Sequence, residues 1–295
     1  MRSGLTATMN FGLSSKAMKQ ALQLIGSGQL RSLGRDEGTA QTLGIGTVQV
    51  EALGAWMRLG GLVIRSQIGL SLSPFGAVVL RYDASVASDA TWWVIHSHLS
   101  TDYSAWYALT RLPYQYCSVA DFEASLSALA PEASARTVKN ARTSVFRTLE
   151  DTPIGQQLGL FRLDGDSKSV TGLTKLPVRQ GQAPMAAVAY VVLDWARREQ
   201  LSSVGLTSLA AADGPGPILH MSEGALERYL IEIDGAYRGK VLSYSRTANL
   251  NEAYLRDDVT PLQVLTTHYL HEQEGLDWAE ALRRAAEEVP ATDDE

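Results

Sequence analysis

Near the start of the chain, apolar residues recur at helical spacing. Met18, Leu22 and Ile25 fall at i, i+4 and i+7, Ser14 stands where an N-cap belongs, and Lys16, Lys19, Gln20 and Gln23 take the other sides. Gly26-Ser27-Gly28 closes this helix, because glycine accepts the left-handed turn at a helix C-terminus. A short helix over 36–43 and a third over 47–59 follow, the latter with Val50, Leu53 and Met57 on one face. Gly44-Ile45-Gly46 turns between them and Gly60-Gly61 stops the third. Leu62-Val63-Ile64 and Leu70-Ser71-Leu72 read as two short strands, and Ser73-Pro74 restarts a helix with proline at its first position. Three helices and then a hairpin is the order of a winged helix-turn-helix.

The pattern then returns. An aromatic helical pair over 91–99 and 103–109, carrying Trp92, Trp93, Trp106 and Tyr107, predicts a core that clamps neighbouring modules. Helices over 121–129 and 134–149 precede strands over 158–163 and 170–176, which turn around Asp164-Gly165-Asp166. Helix, helix and hairpin thus recur after roughly 90 residues. Beyond a linker at 178–184 come an apolar helix over 185–199 and a rigid loop, Asp213-Gly214-Pro215-Gly216-Pro217. A helix capped by Ser222 to about 233 and a strand over 240–246 follow. The expected fold is mostly α: two winged helix-turn-helix modules with small β-hairpin wings, plus a helical C-terminal domain. The boundaries are 1–118 (first module and aromatic clamp), 119–180 (second module) and 181–295, ending in an acidic tail.

Charge changes the picture locally. The 295 residues carry a net charge of −6, but nine acids and two bases lie from Glu272 onward and the rest is nearly balanced. The tail reads as a solvated helix face or as an autoinhibitory decoy, and basic faces elsewhere can create a positive field. One such face lies on the helix over 134–149. Val138, Ala141, Val145 and Leu149 share a narrow arc, opposite Arg136, Asn140, Thr143 and Arg147, with Lys139 flanking and no acid from Arg136 to Thr148. Such cations neutralise phosphates, and Arg and Asn can read base edges bidentately. The alternative is an ordinary solvated face. The matching helix of the first module offers Thr47, Glu51, Ala55 and Arg58, with no net positive charge, and reads as scaffold or protein contact before DNA contact.

Three stretches resemble a known family. They are Leu43-Gly44-Ile45-Gly46-Thr47-Val48-Gln49-Val50-Glu51-Ala52-Leu53-Gly54-Ala55-Trp56 with Gly61-Leu62-Val63; Leu72-Ser73-Pro74-Phe75-Gly76; and Thr91-Trp92-Trp93-Val94-Ile95-His96 with Ala105-Trp106-Tyr107-Ala108-Leu109. Together they resemble a bacterial family long labelled a domain of unknown function, which includes SspB, the DNA-nicking component of the Ssp DNA phosphorothioation system. The resemblance spans roughly the first 165 residues and fades in the C-terminal third. It implies a protein that binds double-stranded DNA and nicks it so that sulfur can replace a non-bridging phosphate oxygen. Its partners would be a cysteine desulfurase, an ATP-pyrophosphatase-like sulfur transferase and an ATPase. Thr47, Val48, Glu51 and Gly54 depart from the basic residues and asparagine usual in the family, which shifts DNA contact towards 136–147. Other readings are a non-catalytic DNA-binding adaptor and a transcriptional regulator.

Cutting DNA calls for carboxylates around Mg²⁺ or Mn²⁺. Asp166-Ser167-Lys168 has an acid-x-lysine form, so Asp164, Asp166 and Lys168 are the catalytic candidates, with Asp151 upstream; the alternative is a plain hairpin turn. A second basic cluster, Arg228, Arg238, Lys240, Arg246 and Arg256, sits among Glu227, Glu232 and Asp234. It offers Arg238, Lys240 and Arg246 as further DNA contacts, or an Arg228–Glu232 helical salt bridge. His96 and His98 point apart on a helix, and His268 and His271 lack a third ligand. No phosphate loop, Gly-x-Ser-x-Gly elbow or His-Glu-x-x-His occurs, so no nucleotide cofactor is expected. Cys117 is the single cysteine, which excludes an internal disulfide. No apolar run suits a membrane span and Met1-Arg2-Ser3-Gly4 starts no signal core, so a cytoplasmic protein is expected. Paired wings make a homodimer plausible.

Overall fold

In the computed structural model, residues 4–67, 69–166, 169–247 and 250–289 are described. Ser14 caps the first helix, its hydroxyl accepting the Ala17 N–H, and α1 runs Ser15–Gly26 with Met18, Leu22 and Ile25 buried. The Asp36 carboxylate accepts the Thr39 N–H at the start of α2 (Glu37–Leu43), and Gly44 ends it at φ 65°. Helix α3 (Thr47–Leu59) leads into the antiparallel pair β1 (Val63–Ser66) and β2 (Gly69–Leu72). Ser73 then caps α4 (Pro74–Tyr82), with proline in its first turn. Next come α5 (Asp89–Asp102) and α6 (Ser104–Thr110).

A strand absent from the sequence expectation follows, β3 (Tyr116–Ser118), then α7 (Val119–Leu129), α8 (Ala135–Asp151), α9 (Pro153–Gln156), β4 (Phe161–Asp166) and β5 (Ser169–Lys175). Asp164, Gly165 and Asp166 do not turn the hairpin. They close β4 in register with Gly172, Val170 and Ser169, and a bulge at Asp164/Gly165 needs the φ of 117° that glycine supplies. Three residues are too few for a period-two pattern to announce β3; its pairing with β5 creates it.

The chain forms two compact units: residues 1–88 with 95–176, and residues 89–94 with 177–295. In the first, Trp56 meets Tyr103 and Trp106 edge-on, with centroids 5.5 and 5.9 Å apart, and its indole N–H donates to the Phe11 carbonyl at 2.8 Å. The buried Tyr103 hydroxyl sits with Thr8 at 2.9 Å and Ser144 at 3.4 Å, which ties α8 to the N-terminal segment. His96 is buried and accepts the Trp106 indole N–H at 3.0 Å, so its Nδ1 carries no proton.

The second unit continues with α10 (Met185–Arg198), β6 (Ser203–Gly205), α11 (Leu206–Ala210), α12 (Pro215–Leu219), α13 (Glu223–Tyr237), β7 (Leu242–Thr247), β8 (Leu250–Leu255), α14 (Pro261–Glu274) and α15 (Trp278–Glu288). The predicted rigid loop at 213–217 is corrected: Pro215 opens α12, where its missing N–H is harmless. This unit also holds a three-stranded sheet. Its order, β6-β8-β7, repeats the β3-β5-β4 order of the first unit. The nearer repeat therefore joins the second module to the C-terminal region: a helix, a three-residue strand, further helices, then a hairpin whose second strand pairs with the short one. The described part of the acidic stretch lies at the end of α14 and along α15, and Arg283 and Arg284 pair with Glu280, Glu287, Glu274 and Glu288. The chain is mostly α, and among the described residues no helix is long and apolar enough to cross a membrane.

Candidate nucleic-acid interface

Helix α8 begins where the Ser134 hydroxyl accepts the Thr137 N–H at 3.2 Å. Val138, Ala141, Val145 and Leu149 are buried, as their spacing predicts. The opposite face is open at both ends. Arg136, Lys139 and Arg147 are exposed, and among the described residues none of the three pairs with a carboxylate. Arg147 is oriented by a bond to the Asn10 carbonyl at 3.0 Å, and Gly12 packs so closely that a Cβ there would lie 2.6 Å from Arg147 Cβ. Asn140 is half-buried. Thr143 is occupied: its hydroxyl donates to the Lys139 carbonyl at 2.8 Å and accepts from Arg142. Arg142 turns inward to Glu123 at 3.0 Å, over the Phe146 ring. Beside Arg147, Glu150 and Asp151 share the wall of a cavity of about 430 Å³ with Ser14 and Gln49.

The Asp164 carboxylate is committed to its own hairpin. It takes Arg162 at 3.2 Å and the Thr174 hydroxyl at 2.7 Å. Lys168 and the Asp166 side chain lie outside the described residues. Among the described residues no three His, Cys, Asp or Glu side chains gather to hold a metal ion. Of the Asp164, Asp166 and Lys168 candidates, the described atoms therefore give no donor set for Mg²⁺.

The second basic cluster is spread along α13 and β7. Arg238 caps α13 in the left-handed conformation and is exposed, as is Lys240. Arg246 is 3.5 Å from Glu227. Arg228 donates to Gln180 at 3.0 Å, and that amide donates to Glu232 at 3.2 Å, so a glutamine bridges the pair read as a direct salt bridge. Asp234 accepts the Tyr244 N–H, which fastens α13 to β7.

Sequence reasoning missed Lys175. This last residue of β5 is 3% exposed, donates to the Thr110 carbonyl and stands over the Tyr114 ring at 4.7 Å. Burial, and then the nearby Arg111 cation, lower its pKa to about 7. The only sequence signal was a lysine closing a strand.

No family model matches the chain, nor does any curated protein. Solved structures do match: a magnesium-ion-bound SspB crystal structure, with a TM-score of 0.72, and an SspB crystal structure, at 0.70. The chain has the SspB fold. Each likeness covers 98% of both chains, so it extends through the C-terminal unit, where the sequence resemblance fades. Identity to SspB is 18% in both cases, so the backbone path is shared while most side chains differ. The stretches that resemble the SspB-containing family in sequence fall on α2 and α3, on the β2–α4 junction, and on α5 and α6.

Proposed function

We propose that the protein is the DNA-acting, SspB-like component of a bacterial phosphorothioate modification system. It binds double-stranded DNA through winged-helix modules, α8 entering the major groove with β4–β5 as its wing, and nicks one strand so that sulfur can be incorporated. The observation that carries this reading is the SspB fold over 98% of both chains. The exposed Arg136, Lys139 and Arg147 on α8 support it, because a duplex phosphate gains most from cations not already neutralised. Sulfur-transfer and ATPase components act with it.

A second reading, a non-catalytic adaptor, is favoured by the commitment of Asp164 to Arg162 and Thr174. Relaxation of supercoiled plasmid with Mg²⁺, Mn²⁺ or EDTA separates the two. Metal-dependent open circles support the nickase. Supercoils left intact under every metal, with binding retained in a gel shift, assign the adaptor role. Loss of gel-shift binding by wild type at low salt refutes both.

A further inference from the structure

Three arginines distant in sequence line one cavity of about 340 Å³: Arg31 after α1, Arg58 in the last turn of α3 and Arg65 on β1. Its walls are held on both sides. The chain after Arg31 lies against α3 where Gly54 has no side chain; a Cβ there would sit 2.8 Å from Leu33 Cβ and 3.0 Å from the Leu33 carbonyl oxygen. On the other side the Leu70 N–H donates to the Arg31 carbonyl at 2.8 Å. Gly69, at φ 119°, approaches that same oxygen so closely that a Cβ would lie 2.6 Å away. The backbones bearing Arg31 and Arg65 are thus set at a fixed spacing around Arg58.

The charge inside is unbalanced. Glu51 is on the wall, but its carboxylate is taken at 2.6 Å by Arg35, which does not line the cavity. Among the described residues Arg31, Arg58 and Arg65 pair with no carboxylate. Arg58 is half-buried, and that burial, then the Arg65 cation, hold its guanidinium below the ordinary arginine range. Like charges held together in a concave, partly dehydrated place are unfavourable until an anion enters.

We infer that this cavity is a phosphate oxyanion site, separate from the α8 face. Guanidinium forks match phosphate oxygens in pairs, and three around one cavity suit a tetrahedral anion. Two sources share this chemistry: a backbone phosphodiester of duplex DNA, and a terminal or free phosphate. Only the first rests on the DNA-binding reading above.

Calorimetry on the full chain tests it with two probes, inorganic phosphate and a duplex of about 20 base pairs ending in 5′-hydroxyls. The variants are Arg31→Gln and Arg65→Gln, both on exposed side chains, and Arg58→Lys, which keeps charge but not the fork. Each glutamine variant should weaken binding about tenfold, with Arg58→Lys intermediate. Weakening with the duplex alone assigns the backbone; weakening with phosphate alone assigns a terminal or free phosphate; weakening with both assigns a site open to either. The inference is overturned when wild type binds neither probe, or when the three variants bind as wild type does. Phosphate binding without duplex binding removes the DNA reading and leaves the site standing.

Discussion

Helices α8 and α13 are the long helices that precede the hairpins in two modules of similar connectivity, with the short α9 between α8 and its hairpin, and in each the hairpin's second strand pairs with a three-residue edge. Their outer faces are chemically opposed. α8 presents Arg136, Lys139 and Arg147. α13 presents Glu223, Glu232 and Ile231, with Arg228 engaged by Gln180. Repeated topology therefore does not repeat surface chemistry: the scaffold sets where a surface helix stands, and the residues on it decide its charge.

The registers extend the comparison to single positions. Lys175 faces Phe161 as Leu255 faces Leu242, so the second module buries a lysine where its C-terminal counterpart has a leucine. The largest expected effect follows from that exchange. With a pKa of about 7 in the fold and an ordinary value of 10.5, Lys175 has shed a proton that the unfolded chain still holds between those pH values. Its contribution to stability therefore rises with pH across this window, and the full penalty is present below pH 7. Lys175→Leu should remove a rise on the order of 2–3 kcal/mol between about pH 7 and 9.5. Urea denaturation at several pH values measures it, and parallel curves for variant and wild type would contradict the burial argument.

DNA affinity comes next. Arg136→Ala with Arg147→Ala should lower it about a hundredfold and reduce the salt slope by roughly two. Glu223→Ala with Glu232→Ala on α13 should leave both within about twofold, because no phosphate contact is lost. Equal losses from the two pairs in salt-titrated gel shifts would erase the contrast between the helices.

The hairpins differ as well. Gly165 sits in a bulge at φ 117°, and a Cβ there would approach the Ser169 carbonyl to 2.3 Å; the register-equivalent residue in the other hairpin is Arg246, in a regular strand. Gly165→Ala should cost about 1–3 kcal/mol in a thermal or urea melt. Arg246→Ala should cost under about 1 kcal/mol, since the Arg246 side chain is largely solvent-exposed and stands 3.5 Å from Glu227. A costly Arg246→Ala would mean that this ion pair holds the hairpin, against that exposure.

Much of the first unit was legible in the sequence. Ser14, Asp36, Ser73 and Ser134 signal helix starts by side-chain chemistry that acts over three residues, and α8 carries a clear apolar arc. What escaped depends on residues far apart. β3 and β6 are three residues each and exist through pairing with β5 and β8. Only the stretch of α14 around His268 and His271 reads as helical in the sequence, because the helix buries Gln263, Thr266 and Thr267 beside its apolar residues and burial on several sides blurs the period. The face that carries Arg58 has no net positive charge when its helix is weighed alone; Arg31 and Arg65 reach the same cavity from a loop and a strand. Charge had to be summed over a surface rather than a helix.

Cys117 lies on β3, beneath the surface at 4% exposure, and burial, followed by the neighbouring Asp121, pushes its thiol above the usual range. As the one sulfhydryl in the chain, it is a built-in timer. A thiol reagent can reach it only when the edge of that sheet peels away, so labelling under native conditions clocks the breathing of the second module without any engineered probe.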